Sequence, residues 1–204
     1  MLKIALTGGI ACGKSLAGSV LRSKGIAVCE ADQLAHALML PGQPAYAEIV
    51  REFGAAVLNA DGTINRTRLG ERVFTDAAER ARLNAIVHPR VRVLYEEWLG
   101  ACAAQPDCAM AVVIIPLLFE AGMERGWDAI ICVRAPVEAQ RMRLQARGMT
   151  VAQAEQRMAA QMPVDEKARR ADYTIENDGT VTELERRTLD VVHRIRESKH
   201  GRTR

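Results

Sequence analysis

Continuous apolar runs alternate with helically spaced segments in the first forty residues of the chain. Residues 3–6 form a short apolar run that stops at a glycine pair, and residues 16–24 then show helical spacing until Gly25. Residues 26–29 form a second run, and residues 33–40 again have helical spacing up to Pro41-Gly42. The pattern predicts a strand, a glycine loop, a helix, a second strand and a second helix.

Helical spacing dominates the middle of the chain. From residue 44 to residue 104 the apolar positions follow a helical pattern without a strand-like run, and the pattern is broken at residues 59–62 and at His88-Pro89. We therefore expect an inserted helical substructure that is interrupted at both places.

The second half of the chain returns to strands. Residues 109–115 and 129–133 are apolar runs rich in β-branched residues, typical of strands buried on both faces of a parallel sheet. Helices are predicted over 136–146, over 150–162 with Thr150 as its cap, and over 181–198, after a last strand at 173–176. The tail from residue 199 to residue 204 is expected to fray. Together these elements predict an α/β fold with a doubly wound, five-stranded parallel sheet whose ligands bind at the carboxyl ends of the strands.

Composition and charge limit the classes of protein to consider. The chain has 204 residues and is 49% hydrophobic and 26% charged, which suits one globular folding unit with insertions. A net charge of +3 is too small to require nucleic acid as a partner. The five cysteines include no CxxC pair, which argues against a disulfide framework or a zinc site. No segment approaches 18 uninterrupted apolar residues, so we expect no membrane partner and a cytoplasmic location. A monomer or a small homo-oligomer is a separate expectation.

Residues 8–15 carry the strongest chemical motif in the chain. They run Gly8-Gly9-Ile10-Ala11-Cys12-Gly13-Lys14-Ser15 and fit the phosphate-loop pattern G-x-x-x-x-G-K-[ST], between a predicted strand and a predicted helix. Backbone N–H groups of such a loop, with the helix N-terminus, face phosphate oxygens. Lys14 is expected to bridge the β- and γ-phosphates, and the Ser15 hydroxyl to ligate the metal. The motif predicts ATP and Mg²⁺ as cofactors.

The sequence outside the loop indicates which class of phosphate-loop protein this is. The Asp-x-x-Gly and Asn-Lys-x-Asp patterns of switch GTPases do not occur, and residues 112–115 run into Pro116 without the acidic residue of a motor ATPase. A small-molecule kinase is therefore favoured. A nucleoside or nucleotide kinase, and an ATP-binding regulatory module without transfer activity, remain as alternatives.

Acceptor and lid residues have two interpretations each. Asp32 follows the second strand and is a candidate base for an acceptor hydroxyl, or else the cap of the helix beginning near residue 33. Arg143 and Arg147, with neighbouring arginines, lie on two helical segments joined near Gly148. Their guanidinium groups suit a lid over the transferring phosphate, or else an ordinary solvated basic surface.

Over essentially its whole length, and in order, the chain resembles the dephospho-coenzyme A kinases. The matching segments are Leu6-Thr7-Gly8-Gly9-Ile10, Gly13-Lys14-Ser15, Ala31-Asp32, Pro41-Gly42, Phe53-Gly54, Asp61-Gly62, Arg66, Leu69, Val73-Phe74, Leu83-Asn84, His88-Pro89, Pro116-Leu117-Leu118-Phe119-Glu120, Gln140, Arg143, Arg147, Gln161, Lys167, Ala171-Asp172-Tyr173 and Asn177-Asp178-Gly179. The resemblance implies ATP-dependent phosphorylation of the ribose 3′-hydroxyl of dephospho-coenzyme A, giving coenzyme A and ADP. It also implies a P-loop kinase core (1–32, 107–140 and 171–204), a helical acceptor insertion (33–106) and a lid (141–170).

The resemblance also implies roles for individual residues. Asp32 would be the base or the hydroxyl-orienting carboxylate, Lys14 and Arg143 would take part in catalysis, and Arg147 and Asn177 would lie at the nucleotide. The expected nucleotide-binding loop consists of Gly9, Ile10, Ala11, Cys12, Gly13, Lys14, Ser15 and Leu16. The expected acceptor-pocket residues, besides Asp32, are Arg66, His88 and Glu120. The alternatives are a packing role for His88 at a domain junction and a capping role for Glu120 at the turn 116–119.

This chain departs from the family pattern at four positions. Ala11-Cys12 stands where the family usually has Gly-Ser, so a positive φ there would strain Ala11. Glu30 stands where aspartate is common, and Leu16 replaces a threonine, which predicts a packing change at the start of the helix. Cys12 lies beside Lys14 and a helix N-terminus, which predicts either a reactive thiolate or a small loop filler with an ordinary thiol.

Overall fold

Five strands form one sheet in the computed structural model, which describes the backbone of residues 1–200 and the side chains of residues 1–198. The strands are β1 (Leu2–Gly8), β2 (Ala27–Glu30), β3 (Met110–Ile114), β4 (Ala129–Arg134) and β5 (Tyr173–Glu176), in the order β2-β3-β1-β4-β5. The central strand β1 pairs in parallel with β3 and β4, and β4 pairs in parallel with β5. The predicted α/β fold is confirmed, because the chain adds strands on both sides of β1 and the strands' carboxyl ends meet at one edge.

Helices connect the strands at bounds close to the predicted ones. They are α1 (Lys14–Ser23), α2 (Ala31–Leu38), α3 (Pro44–Phe53), α4 (Arg66–Thr75), α5 (Ala77–Ala103), α6 (Val137–Gln145), α7 (Val151–Ala159), α8 (Val164–Arg170) and α9 (Val181–His200). Thr150 caps α7 as predicted, in a capping box with Gln153. The helix predicted over 150–162 is too long, since α7 ends at Ala159 and α8 begins after Pro163. The expected fraying of the tail falls on residues beyond the described side chains.

The predicted interruption at His88-Pro89 is wrong, because α5 continues through Pro89. Proline removes one backbone donor from the helix and crowds the preceding turn. The helix nevertheless buries Val87, Val91, Tyr95 and Leu99 at intervals of four residues, each no more than 6% exposed. This apolar stripe stabilises the helix more than the lost hydrogen bond weakens it.

The chain divides into two compact units. Unit 1 comprises residues Met1–Cys29 and Ala101–Arg204, and unit 2 comprises Glu30–Gly100. In unit 1 the sheet is covered by helices, and its core includes Ile4, Leu6, Ile131, Leu184 and Ile195. In unit 2 the helices enclose their own buried residues, including Ile49, Phe53, Val57 and Leu69.

Replacing Pro89 by alanine should stabilise the protein. An interior proline costs a helix about 3 kcal/mol, and about 1 kcal/mol of this returns when the unfolded chain regains freedom. We therefore expect Pro89→Ala to raise the free energy of unfolding by about 2 kcal/mol, measured by urea unfolding. Gly100→Ala, on the same helix, is the control for helix propensity alone, and should add about 0.5–1 kcal/mol. A lower stability for Pro89→Ala than for the wild type would contradict this account of α5.

Candidate active site

The predicted phosphate loop joins β1 to α1 at the carboxyl edge of the sheet. Gly13 is the N-cap of α1 with φ 99° and ψ 16°, and none of the described side chains accepts a hydrogen bond at this cap. The first N–H groups of a helix have no acceptor within the helix, and they carry partial positive charge. The start of α1, with Lys14 and an exposed Ser15 as its first residues, is therefore suited to bind an anion.

Close contacts disfavour a side chain at three loop positions. A Cβ on Gly8 would lie 2.2 Å from the Val133 carbonyl oxygen, and one on Gly13 would lie 2.3 Å from Asn177 Nδ2. A Cβ on Gly9 would lie 2.9 Å from the sulfur of Cys12. The loop is therefore packed directly against the ends of β4 and β5, and its shape depends on the absence of these side chains.

Ala11 has a positive φ, the case in which strain was expected at this position. Its φ is 56°, in the left-handed region where an L-residue other than glycine pays about 1 kcal/mol. The methyl group is buried in a small cluster with Leu144 of α6 and Ala154 of α7. Burying one methyl group stabilises the folded protein by about 0.8 kcal/mol. Packing against α6 and α7 thus offsets most of the strain.

The Lys14 ammonium is held across the loop. Its Nζ donates to the carbonyl oxygens of Gly8 at 3.1 Å and Gly9 at 2.8 Å. Leu16, further along α1, packs against the core of unit 1, as its replacement of a polar residue predicted. The loop therefore has a cation fixed beside it and an apolar anchor behind it.

Two predicted site residues support the loop from behind. Asn177, just after β5, is 6% exposed, and its Nδ2 donates to the Cys12 carbonyl oxygen at 2.8 Å. The Arg143 guanidinium donates to the carbonyl oxygens of Ala11 at 3.1 Å and Asn177 at 3.2 Å. Both residues therefore lie at the loop, and the contacts observed are to its backbone.

The other arginines of the 141–170 segment are placed differently. Arg141 pairs with Glu138 at 2.7 Å and with Glu155, which ties α6 to α7. Arg147 is exposed, immediately before Gly148. Arg141 is therefore an ion-paired residue at the surface of this segment.

The reactive-thiolate hypothesis for Cys12 is wrong. The residue is 0% exposed, and burial raises the pKa of its thiol even though the charge of Lys14 acts in the opposite direction. Its neighbour Cys132 on β4 is also fully buried, and burial raises its pKa to about 12. Both thiols stay protonated at neutral pH and fill space in the core.

Lys167 is a buried cation that was not predicted as a site residue. Its side chain is 0% exposed, and Nζ donates to the Pro116 carbonyl oxygen at 2.7 Å and pairs with Glu120 Oε1 at 2.8 Å. Glu120 also accepts the N–H of Met162 at 2.9 Å. Glu120 therefore joins the segment after β3 to the segment before α8, and it does not cap the turn 116–119. Apart from the family resemblance, sequence offered no sign that a lysine beside Asp165 and Glu166 would be buried.

Asp32 lies in the first turn of α2 in unit 2. Glu30 is the N-cap of that helix, so the capping interpretation of Asp32 is wrong. An acidic side chain in the first turn interacts favourably with the helix dipole. Asp32 itself is exposed, as an acceptor-facing carboxylate must be.

A cavity of about 200 Å³ lies in unit 2, and one of its lining residues is Arg66, which was predicted to line the acceptor pocket. Its lining includes His36, Met39, Leu40, Thr63 and Arg66, so apolar walls meet a few polar groups. His36 lies four residues after Asp32 on α2; burial and the charge of Arg66 lower its pKa, and the charge of Asp32 opposes them. Sequence reasoning missed His36, although its i,i+4 spacing from Asp32 was a usable signal.

His88 lies elsewhere in unit 2, in the middle of α5. It is half-buried, and burial lowers its pKa, so its imidazole is neutral at pH 7. His88 is not among the residues that line the cavity with Arg66.

The described part of the chain holds no group of three or more His, Cys, Asp or Glu side chains arranged to bind a metal ion. None of its helices is both long and apolar enough to cross a bilayer.

Comparison with known proteins decides the family. The family model described as dephospho-CoA kinase matches residues 2–183. The chain belongs to the dephospho-CoA kinase family. A dephospho-CoA kinase from Anaeromyxobacter dehalogenans is 51% identical over 180 residues, which are 88% of this chain and 85% of the relative. A Thermus thermophilus structure aligns with a TM-score of 0.80 at 35% identity, over 94% of this chain and 95% of that one. The structure of Campylobacter jejuni dephospho-CoA kinase aligns with a TM-score of 0.67 at 25% identity, over 97% and 98% of the two chains.

The family assignment confirms the resemblance inferred from ordered motifs. This dephospho-CoA kinase family member has a P-loop kinase fold and is a transferase with a small-molecule substrate. Membership of the family implies use of a nucleotide, in agreement with the loop at the start of α1.

Replacing Gly13 by alanine should damage the phosphate loop of this family member. The new Cβ would collide with Asn177, and the alanine would have to keep a φ of 99°. We expect a loss of at least about 2 kcal/mol in unfolding free energy and at least tenfold weaker ATP binding, measured by urea unfolding and calorimetry. Gly70→Ala is the matched control, because no described atom lies within 4 Å of the added Cβ. This change should stabilise α4, since alanine favours the helix more than glycine does. Equal stability and ATP affinity in Gly13→Ala and wild type would contradict the loop geometry.

Removing the partner of Lys167 should destabilise unit 1. Glu120→Gln leaves a fully buried ammonium without its carboxylate, which we expect to cost about 2–3 kcal/mol, because Glu120 itself is partly exposed. The double variant Glu120→Gln/Lys167→Met should lose less than the sum of the two single losses, measured by thermal unfolding. Strict additivity would show that the two side chains do not interact.

Proposed function

We propose that this protein transfers the γ-phosphoryl group of ATP to the ribose 3′-hydroxyl of dephospho-coenzyme A, giving coenzyme A and ADP, the last step of coenzyme A biosynthesis. The family match over residues 2–183 is the observation that carries this proposal. The kinase function of the named relatives requires a phosphate loop, and here that loop is complete from Gly8 to Ser15. We also retain as predictions a cytoplasmic location and a monomer or small homo-oligomer.

The nucleotide is proposed to bind at the loop between β1 and α1. Its phosphates would accept hydrogen bonds from the loop and first-turn N–H groups of α1, with residues 9–16 around them. Lys14 would move from the carbonyl oxygens of Gly8 and Gly9 to the β- and γ-phosphates. The exposed Ser15 hydroxyl is a hard oxygen ligand suited to Mg²⁺, which when bound neutralises phosphate charge.

Residues 141–170 are proposed to act as a lid over the nucleotide. Two contacts support a link between this segment and the loop: Arg143 donates to the Ala11 carbonyl oxygen, and the Ala11 methyl packs against Leu144 and Ala154. Arg143 would stabilise the charge of the transferring phosphoryl group, and the exposed Arg147 would reach the nucleotide when the lid closes. Closure excludes water and so prevents wasteful ATP hydrolysis. Asn177 holds the loop, and the adenine is proposed to lie beside it.

Residues 33–106 are proposed to bind the acceptor. The cavity with His36 and Arg66 combines apolar walls with a cation, which suits a ligand that carries both an aliphatic arm and phosphates. Arg66 would pair with the acceptor's pyrophosphate, and the neutral His36 would hydrogen-bond its arm. His88 and Glu120 are proposed to act in acceptor binding less directly, since one lies within α5 and the other is engaged with Lys167.

Catalysis is proposed to rest on positioning and charge neutralisation. The 3′-oxygen attacks the γ-phosphorus in line with the departing ADP, and the hydroxyl proton passes to the Asp32 carboxylate. Lys14, Arg143 and the loop N–H groups stabilise the charge on the equatorial oxygens of the loose transition state. Because phosphoryl transfer requires little covalent chemistry from the protein, these few groups suffice.

Variants of Asp32 and Lys14 test the proposal. Asp32→Asn should lower kcat by about 10²–10⁴-fold and change ATP affinity little, because it removes the proton acceptor and leaves the loop intact. Lys14→Ala should lower kcat at least 100-fold by removing transition-state charge stabilisation. The measurement is ADP release with ATP-Mg and dephospho-coenzyme A, with nucleosides, nucleoside monophosphates or no acceptor in parallel.

Matched controls are Glu97→Gln and Lys24→Ala, exposed changes of the same charge that should leave turnover unchanged. Coenzyme A formed only from dephospho-coenzyme A would support the proposed substrate. ADP release driven equally by a nucleoside would refute it, and unchanged turnover in Asp32→Asn would remove Asp32 from the chemistry.

A further inference from the structure

The Lys167 ammonium links α8 to the strand that leads into the phosphate loop. Its Nζ donates to the Pro116 carbonyl oxygen at 2.7 Å and pairs with Glu120 Oε1 at 2.8 Å. The Thr7 hydroxyl of β1 donates to the same Pro116 oxygen at 3.3 Å, and Gly8 of the loop follows Thr7 directly. One carbonyl group therefore connects a fully buried side chain of α8 to the first residues of the loop.

Glu120 links the same ammonium to the chain segment that precedes α8. Its Oε1 accepts the Met162 N–H at 2.9 Å, in addition to the hydrogen bond from Lys167. Met162 lies in residues 160–163, the connecting segment between the end of α7 and the start of α8. The backbone of the connecting segment is thus bound to the carboxylate that Lys167 holds.

α8 packs on the core of unit 1 and lies against the phosphate loop. Val164 is 8% exposed and belongs to the core of unit 1, and Ala168 packs against that core. A Cβ on Gly9 would lie 3.2 Å from Val164 Cβ, so the first residue of α8 is close to the loop backbone. α7, in contrast, is mostly exposed or half-buried, with Ala154 buried. The packing therefore assigns α8 to the fixed core, and the part of the proposed lid that is free to move ends at the connecting segment.

We propose that Lys167 and Glu120 are positioning residues for phosphoryl transfer, because they fix the connecting segment as the pivot on which the lid closes. This inference rests on the proposed kinase function and its lid. A lid excludes water from the phosphates only if its pivot keeps a constant position relative to the loop. The ion pair meets this requirement, because Glu120 binds the pivot backbone and Lys167 binds the Pro116 carbonyl group. Neither side chain touches a substrate in this role.

Burial suits the pair for positioning. The side chains of Lys167 and Glu120 are 0% and 22% exposed, so salt screens their attraction less than that of a surface pair. Hydrogen bonds between ionised groups are also roughly twice as strong as those between neutral groups. A displacement of about 1 Å in a positioned group can cost on the order of 100-fold in rate. Loss of the pair should therefore slow transfer to the acceptor and admit water to the phosphates.

The test compares the full-length wild type with the double variant Glu120→Leu/Lys167→Met, which removes both charges together and leaves neither one unpaired in the core. Coenzyme A and ADP are measured in parallel with ATP-Mg and varied dephospho-coenzyme A. We expect kcat for coenzyme A formation to fall at least about tenfold, and the KM for dephospho-coenzyme A to change less than about threefold. The wild type should release the two products in equal amounts. The variant should release an excess of ADP, because ATP is hydrolysed under a poorly closed lid.

Val192→Ala is the control for lost stability, since it truncates a buried residue of α9 that belongs to the core of unit 1. It should lower the midpoint of thermal unfolding and leave kcat per folded molecule, and the equal amounts of product, unchanged. A purely structural role for the ion pair predicts the same behaviour for the double variant.

Thr7→Val is a second test that removes no charge. It deletes the hydroxyl that donates to the Pro116 oxygen, and it should lower kcat at least about threefold with the same excess of ADP. If the double variant does not fold, this variant decides, and wild-type values of kcat and of the product ratio would then overturn the inference.

Two results for a folded double variant would also overturn the inference. One is a kcat per folded molecule and a product ratio equal to those of the wild type. The other is a KM raised at least about tenfold at unchanged kcat, which would place Glu120 in contact with the acceptor. Both results leave the proposed function intact, since the wild type still forms coenzyme A. A wild type that forms no coenzyme A would refute the proposed function, and this inference with it.

Discussion

The geometry of the phosphate loop depends on how closely its backbone approaches the strand ends behind it. Gly8 lies against the Val133 carbonyl and Gly13 against the Asn177 amide, at distances that leave no room for a Cβ. Asn177 and Arg143 then hold the loop carbonyls by hydrogen bonds. Backbone N–H groups can turn toward a phosphate only if their carbonyls are fixed in this way, so the core of the sheet and the chemistry at its edge share one set of contacts.

Ala11 shows how such a loop tolerates a residue that its backbone disfavours. Its positive φ costs about as much free energy as its methyl returns by packing between α6 and α7. A glycine would remove the strain and the contact together. In this chain the loop is thus coupled to the proposed lid segment by an apolar contact as well as by Arg143.

The Lys167–Glu120 pair stabilises the same carboxyl edge of the sheet. A fully buried ammonium is tolerated because a carboxylate and the Pro116 carbonyl oxygen both accept from it. Thr7 at the end of β1 donates to that same carbonyl at 3.3 Å. The ends of β1 and β3 and the start of α8 are therefore joined through one backbone oxygen, which makes this region sensitive to the loss of any partner.

Sequence by itself determined the features that depend on local pattern. Apolar runs without alternation identified β3 and β4, because strands buried on both faces of a parallel sheet must be apolar throughout. Short apolar runs beside glycines and predicted helices identified β1 and β2. The spacing of Gly8, Gly13, Lys14 and Ser15 identified the loop, since its chemistry resides in consecutive residues. Ordered motifs along the chain identified the family.

Only the tertiary structure decided what depends on contacts between distant residues. It showed that α5 continues through Pro89, because a buried stripe outweighs a local helix breaker. It showed that the Cys12 thiol is buried and protonated, that Asp32 is not a cap, and that His36 shares a cavity with Arg66. It also showed Lys167 to be buried, since the carboxylate and carbonyl that accept from it lie 47 and 51 residues away in the chain. The residues adjacent to Lys167 in the sequence do not identify these partners. The free energies of burial and pairing depend on the partners, so only the tertiary structure could decide them.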